Sequence, residues 1–212
     1  MTCVVAVEGI DGAGKSSLVA ELRSTLTGKG YSVGVGSRER PLRREYGRRL
    51  RTTDEFPDST LSLFWGLASA YDIRTAALSR DQPNFLILDR YVASPITDAI
   101  AAGLDPRHCL GTTGLLPRAC VTLLVDVSAE LALARRPDLS YAEAGGETWL
   151  SAGDTPQERF LAYQSAARNA FLEMSRDSSW LVLDGADLLS GSVGAALGAI
   201  EGRRCNCPGR DY

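Results

Sequence analysis

A glycine-rich segment close to the start of the chain carries residue types that bind phosphate. Residues 9–16 read GIDGAGKS, which fits the pattern GxxxxGK[ST], and an apolar run precedes them while a helical pattern follows. Glycines in this setting let backbone N–H groups converge on phosphate oxygens, and the N-terminus of the following helix adds positive charge. We therefore predict a phosphate-binding loop. Its residues are Gly9, Asp11, Gly12, Ala13, Gly14, Lys15, Ser16 and Ser17.

Two side chains of this loop are suited to a nucleoside triphosphate. Lys15 is one of two lysines in the chain and would reach the β- and γ-phosphates, while the Ser16 hydroxyl would hold Mg²⁺. A glycine-rich turn with a solvated lysine is the structural alternative. No guanine-reading NKxD motif occurs in the sequence, which argues against a GTPase switch.

A second polar cluster follows the apolar run NFLIL. Asp89 and Arg90 come directly after it, at the carboxyl end of a predicted strand, which is where ligands of open α/β sheets bind. Asp89 could accept a hydrogen bond from Mg²⁺-bound water or from a substrate hydroxyl, and Arg90 could bind a phosphate with two hydrogen bonds. A structural ion pair at the strand end is the alternative interpretation.

The elements that position these residues follow from hydrophobic periodicity. Apolar runs that predict strands alternate with stretches of helical period, which indicates a five-stranded parallel sheet with helices on both faces, the α/β fold of P-loop kinases. The predicted strands are 3–7, 31–35, 84–88, 120–125 and 180–183. The predicted helices are 15–27, 41–51, 58–80, 95–102, 128–136, 155–176 and 187–201.

The domain organisation that we expect is a single domain over residues 1–202 with a short tail over 203–212. Residues 137–156 contain prolines and glycines without a clear period, and a connection of this length is typical of a mobile functional segment. We call residues 137–156 the lid.

Composition limits the classes of partner. The formal net charge is −3, whereas a protein that coats nucleic acid or an anionic membrane needs a basic face. The sequence has no secretory leader and no apolar run of about 18 residues. We expect a cytoplasmic protein that binds neither nucleic acid nor membrane.

Three segments together resemble the thymidylate kinase family of nucleoside monophosphate kinases. They are EGIDGAGKSS at 8–17, LDRYVAS at 88–94 and LLVDVSAELALARR at 123–136. The resemblance implies a P-loop kinase fold, transfer of the γ-phosphoryl group of ATP to a nucleoside monophosphate with Mg²⁺, and assembly as a homodimer.

The resemblance also implies contacts with the acceptor nucleotide. Asp11 would lie near the acceptor sugar and phosphate, and Arg90 and Ser94 would contact the acceptor. Because Ser94 precedes Pro95, a purely structural role as a helix N-cap is an alternative for this serine.

Arginines from two further segments complete the implied site. Arg38 or Arg40 lies where the family has its phosphate-binding arginine. In the bacterial form of the family a lid arginine supplies positive charge to the transferring phosphoryl group, and Arg135, Arg136 or Arg159 would do so here. We place Arg135 and Arg136 first, because they end the helix that leads into the lid. With these arginines, Lys15, Asp89 and Arg90 make up the predicted catalytic set.

The chain departs from the family where the base is recognised. Phe64 has the spacing of the phenylalanine that stacks on thymine, but Ala68 stands where an arginine normally hydrogen-bonds the base. Where the bacterial family has an AYQ run, this chain has Thr97, Asp98 and Ala99. The site should therefore favour dTMP poorly, since several buried polar contacts of about 0.5 to 3 kcal/mol each are missing.

Several interpretations stay open at this point. The acceptor is a modified or non-thymine nucleotide with Asp98 in its pocket, or the alignment is locally wrong and thymidylate is used. A second interpretation is a kinase that phosphorylates a hydroxyl group, with Asp89 as the base. A third interpretation is a nucleotide-binding homologue that has no catalytic activity.

Overall fold

A five-stranded sheet positions the phosphate-binding loop and the segment that contains Asp89 and Arg90. The computed structural model describes residues 2–36, 82–101, 103, 105–107, 116, 118–136, 138–140, 143–187 and 191–204. The strands are β1 (Cys3–Glu8), β2 (Val33–Gly36), β3 (Phe85–Asp89), β4 (Val121–Asp126) and β5 (Trp180–Asp184). They are all parallel, in the order β2-β3-β1-β4-β5. The carboxyl ends of all five strands therefore meet at one edge of the sheet.

The central strand shows why the sequence pattern is continuous rather than alternating. Val5 and Val7 of β1 pack into one apolar cluster, while Val4 and Ala6 pack into another on the opposite face of the sheet. All six residues of β1 are buried. A strand buried on both faces needs apolar residues at successive positions, as the run CVVAV predicts.

The described helices flank this sheet. They are α1 (Lys15–Gly28), α2 (Ala93–Ala101), α3 (Ala129–Ala134), α4 (Pro156–Met174) and α5 (Val193–Arg204). In α1, Leu18, Leu22 and Leu26 recur one turn apart and are at most 2% exposed, so this face packs on the core. Thr155 and Glu158 start α4 with a reciprocal capping box ahead of its long apolar face.

The predicted fold class is confirmed, and the element boundaries shift slightly. Strand β2 starts at Val33 rather than at residue 31, because Ser32 is held by the carboxamide of Asn84 through its backbone N–H and its hydroxyl, at 2.9 and 3.1 Å. Helix α5 runs to Arg204, two residues into the segment predicted as a tail. The helices predicted over 41–51 and 58–80 lie outside the described residues.

The lid contains a short helix and a packed aromatic ring. A 3-10 helix spans Glu147–Ala152, and Ala144 is 3% exposed. The Trp149 ring packs so closely on Gly145 that a Cβ there would lie 2.5 Å from the indole Cδ1. The partly buried Trp149 ring thus holds this part of the lid, and the mobility of residues 137–156 stays a prediction.

Across the residues described above, none of the helices is both long and apolar enough to cross a membrane.

Gly12 gives a test of the loop that follows β1. Its φ is +82°, and a Cβ would lie 2.6 Å from the carbonyl oxygen of Ala132. We expect Gly12→Ala to lower the free energy of unfolding by about 1 to 3 kcal/mol, measured by urea denaturation. The control is Gly198→Ala in α5, where a Cβ meets no atom within 4 Å and a gain of about 0.5 to 1 kcal/mol is expected. Equal stability of the Gly12 variant and the wild type would contradict this reading of the loop.

Candidate active site

The loop between β1 and α1 folds around its own lysine. Gly14 caps α1 in the left-handed conformation at φ 100°, which glycine adopts without steric cost. The Lys15 side chain is 7% exposed, and its Nζ donates to the carbonyl oxygen of Ile10 at 2.6 Å. The loop thus holds one cation beside backbone N–H groups at a helix N-terminus, an arrangement that suits phosphate binding.

Ser16 and Asp89 meet although 73 residues separate them. The Ser16 Oγ donates to Asp89 Oδ2 at 2.8 Å, because α1 begins beside the carboxyl end of β3. Hydroxyl and carboxylate oxygens are the ligands that Mg²⁺ prefers, and Mg²⁺ in kinases binds through one or two such groups plus substrate phosphates. The two residues predicted to hold the metal fit it. Within the described ranges, no cluster of three or more acidic, histidine or cysteine side chains could hold an ion without substrate.

Arg90 lies buried between the loop and α2. Its guanidinium forms an ion pair with Asp11, and its Nη1 donates to Ser94 Oγ at 3.1 Å. Its backbone is left-handed at φ 67°, uncommon outside glycine, and its N–H donates to the carbonyl of Val7 at 2.9 Å. The surrounding structure therefore fixes both the backbone and the side chain of Arg90.

The charge of Arg90 is balanced by carboxylates. Burial alone would lower the pKa of its guanidinium, but the negative charges of nearby carboxylates outweigh burial and raise that pKa above its ordinary value. Those carboxylates belong to Asp11, Asp98, Glu8 and Asp89. Arg90 stays fully charged at any pH at which the protein is folded.

Glu8 is a site residue that the sequence analysis missed. It is fully buried at the end of β1, and its Oε1 accepts from the backbone N–H groups of Tyr91, Ala93 and Ser94 at 2.8, 3.1 and 3.4 Å. Its Oε2 accepts from Ser94 Oγ at 2.6 Å. The available signal was a carboxylate that follows the apolar run CVVAV and directly precedes the first loop glycine.

The N-cap interpretation of Ser94 is wrong. Helix α2 begins at Ala93, so Ser94 lies inside its first turn, and the Glu8 carboxylate from another strand accepts the N–H groups of that turn. The Ser94 hydroxyl joins Glu8 to Arg90 instead.

Asp98 faces a tyrosine from α4. The Tyr163 hydroxyl donates to Asp98 Oδ1 at 3.0 Å, and the Tyr163 ring packs against Trp149 of the lid with ring centroids 5.8 Å apart. Burial and then the Asp98 charge raise the pKa of Tyr163 well above its ordinary value, so it remains a hydrogen-bond donor. Tyr163 lies in the triplet AYQ at residues 162–164, which the sequence analysis did not use.

Each of the three candidate lid arginines has a contact. Arg135 donates to the carbonyl oxygens of Ala13 and Gly185 at 3.3 and 3.0 Å, which places it between the phosphate loop and the end of β5. Arg136 forms an ion pair with Glu143 within the lid. Arg159 donates to the carbonyl of Gly153 at 3.1 Å.

The remaining predicted residues cannot be placed in this geometry. Arg38, Arg40, Phe64 and Ala68 lie outside the described residues. The described part of the site therefore contains the phosphate loop, the segment after β3, and the lid arginines.

Comparison with known proteins points to one family. A family model described as thymidylate kinase matches residues 7–189. A probable thymidylate kinase of Archaeoglobus fulgidus is 34% identical over 136 residues, covering 62% of this chain and 68% of that protein. A probable thymidylate kinase of Sulfurisphaera tokodaii is 26% identical over 181 residues, covering 85% and 86% of the two chains. The thymidylate kinase of Chlamydia caviae is 28% identical over 212 residues, covering 92% and 95%.

The buried carboxyl of Glu8 predicts a pH-dependent stability. Burial raises its pKa above the ordinary value, outweighing the hydrogen bond from Ser94 and the charge of Arg90. The stability that a group with a raised pKa contributes is present at low pH and lost as pH rises through its folded pKa. We expect the free energy of unfolding of Glu8→Gln to be about 1 to 3 kcal/mol lower than that of the wild type near pH 5. This difference should become smaller toward pH 8, as measured by urea denaturation at each pH.

Glu158→Gln is the matched control for that titration. Hydrogen bonds from Thr155 lower the pKa of Glu158. The stability that such a group contributes is lost only as the solution becomes more acidic, so the difference in stability between Glu158→Gln and the wild type should change little from about pH 5 to pH 8. A gap for the Glu8 variant that widens with rising pH would contradict the assignment.

Proposed function

Because the chain belongs to the thymidylate kinase family, which makes it an ATP-dependent nucleotide kinase, we propose that its acceptor is a nucleoside monophosphate other than dTMP. The main structural support for a kinase site is the set of contacts around Arg90. This arginine pairs with Asp11 of the phosphate loop and contacts Ser94, next to the Ser16 and Asp89 pair. Groups suited to the donor phosphates and to the acceptor phosphate thus lie within one set of hydrogen bonds.

The catalytic chemistry that we infer is positioning and charge neutralisation. The loop and Lys15 would bind the ATP phosphates, and Ser16 and Asp89 would hold Mg²⁺, which when bound neutralises charge on the phosphates. Arg90 would orient the acceptor phosphate and a lid arginine would stabilise the charge of the transferring group. A monophosphate acceptor is already ionised, so the reaction needs no strong general base.

The contact between Asp89 and Ser16 also bears on the alternative that the enzyme phosphorylates a hydroxyl group. In that alternative Asp89 would take a proton from the acceptor. Its Oδ2 instead accepts from the serine that is predicted to bind the metal, at 2.8 Å. This geometry favours a metal-binding role for Asp89.

The proposal for the acceptor depends on Asp98. A carboxylate stands where the family has a base-site tyrosine, and it accepts from Tyr163 at 3.0 Å. A carboxylate has about four acceptor positions, so it can accept more than one hydrogen bond at a time. The amino group of a cytosine-like base, or the hydroxyls of a ribose, would be suitable donors.

We also infer the setting in which the enzyme acts. Its net charge of −3 supports small nucleotides rather than nucleic acid or membrane as partners. We propose a single domain over residues 1–202 that works in the cytoplasm, where ATP is its donor, and that assembles as a homodimer as the family resemblance implies.

A panel of acceptors tests the proposed function. ADP release should be faster with CMP or dCMP than with dTMP or dUMP, and Lys15→Ala should lower kcat about a hundredfold or more, since it removes a charge from the transferring phosphates. Lys29→Ala is the control, because Lys29 pairs with Glu201 on the surface at 2.8 Å. A strong preference for dTMP would overturn the altered acceptor, and binding without turnover would favour an inactive homologue.

Asp98→Asn tests the acceptor pocket separately. We expect kcat/KM for the preferred acceptor to fall about tenfold, because a charged hydrogen bond becomes a neutral one, while the KM for ATP stays within about twofold. Asp105→Asn serves as the control, since Asp105 is exposed and pairs locally with Arg107. An equal loss for every acceptor, dTMP included, would assign Asp98 a structural role instead.

A further inference from the structure

One buried amide joins the phosphate loop to the lid. Gln164 of α4 is 2% exposed, and its Oε1 accepts from the backbone N–H of Asp11 at 3.1 Å. Its Nε2 donates to the backbone carbonyl of Glu143 in the lid at 3.0 Å, and lies 3.5 Å from Asp11 Oδ2. The kinase site described above gives no function to this residue.

Each end of the amide holds a residue that binds an arginine. The Asp11 carboxylate pairs with Arg90, and the Glu143 carboxylate pairs with Arg136. The side chain of Gln164 thus fixes the backbone of both acidic residues. Arg90 and Arg136 are the candidate cations of the acceptor side and of the lid.

The helix that carries Gln164 is a rigid support. Phe160 and Phe171 of α4 are at most 1% exposed, on the same face as Gln164. One turn further along, Arg168 binds both carboxylate oxygens of Asp126, at the end of β4, at 2.6 and 2.8 Å. The core and the sheet therefore anchor α4. The helix can serve as a fixed support relative to which the loop and the lid move.

We propose that Gln164 is a positioning residue that couples the phosphate loop to the lid, so that nucleotide bound at the loop sets the position of Arg136. The amide is chemically suited to this, because it is the side-chain group that offers an acceptor and a donor at fixed separation without charge. The proposal rests on the proposed function in one respect, which is that Arg136 acts on the transferring phosphoryl group.

The primary test measures the lid without requiring turnover. Hydrogen exchange over residues 143–152 is followed with and without AMP-PNP and Mg²⁺. In the wild type, the nucleotide should slow exchange in this segment. In Gln164→Met, which keeps the length of the side chain and removes both hydrogen bonds, that slowing should fall to less than about a third. Gln157→Met, at an exposed position in the first turn of α4, should respond as the wild type does.

Kinetics supply the second readout. Gln164→Met should lower kcat about tenfold with the KM for ATP within about twofold, and Arg136→Ala should cost much less in the Gln164→Met background than in the wild type. A residue that only stabilises the fold would give independent effects. Independent effects, or a lid that responds as in the wild type, would overturn the proposal.

A second variant covers a failure of the first to fold. Gln164→Glu keeps an acceptor for the Asp11 N–H, removes the donor for Glu143 and adds a negative charge near Asp11 Oδ2, so it should weaken the lid response at least as strongly as Gln164→Met. Loss of the folded state in both variants would overturn the proposal by showing a structural role. If no acceptor supports turnover while the exchange response depends on Gln164, the proposed function fails and the coupling stands.

Discussion

A carboxyl group buried at the end of the central strand holds the segment that carries Arg90. Glu8 is removed from water, and a carboxyl group there is tolerable only if every acceptor position is used. Three backbone N–H groups and a serine hydroxyl from the segment after β3 meet this need. That segment is thereby pulled into the turn in which Arg90 is left-handed. The position of Arg90 is thus a consequence of satisfying Glu8.

The parallel sheet makes this arrangement available. Val7 pairs with Asp89 in the register of β1 and β3, so the residues that follow each strand emerge side by side. Lys15 of the loop and Arg90 of the turn lie among several carboxylates, and these opposite charges attract each other. This mutual attraction offsets part of the free energy that is needed to remove these charges from water.

The sequence predicted the features that periodicity and sheet topology determine, and it missed individual contacts between side chains of distant segments. The strands, the loop and the proximity of Ser16 to Asp89 follow from periodicity and from the rule that parallel strands end at one edge. The functions of Glu8 and Gln164 depend on partners more than 80 and 150 residues away, at Tyr91 and Asp11, which no local pattern encodes. The N-cap alternative for Ser94 failed for the same reason, because the distant carboxylate of Glu8 accepts from the N–H groups of the first helical turn. The predicted contact of Ser94 with the acceptor stays a prediction. Arg38, Arg40, Phe64 and Ala68, outside the described residues, remain predictions.

The double anchoring of Arg90 by Asp11 and Ser94 has a thermodynamic consequence. An arginine side chain has roughly 2 kcal/mol of rotamer freedom, and here that freedom is lost when the chain folds rather than when a ligand arrives. A phosphate that binds Arg90 meets a guanidinium that is already ordered, so this contact should contribute a favourable enthalpy with little entropic opposition. The ordering entropy of the binding site is then part of the stability of the fold.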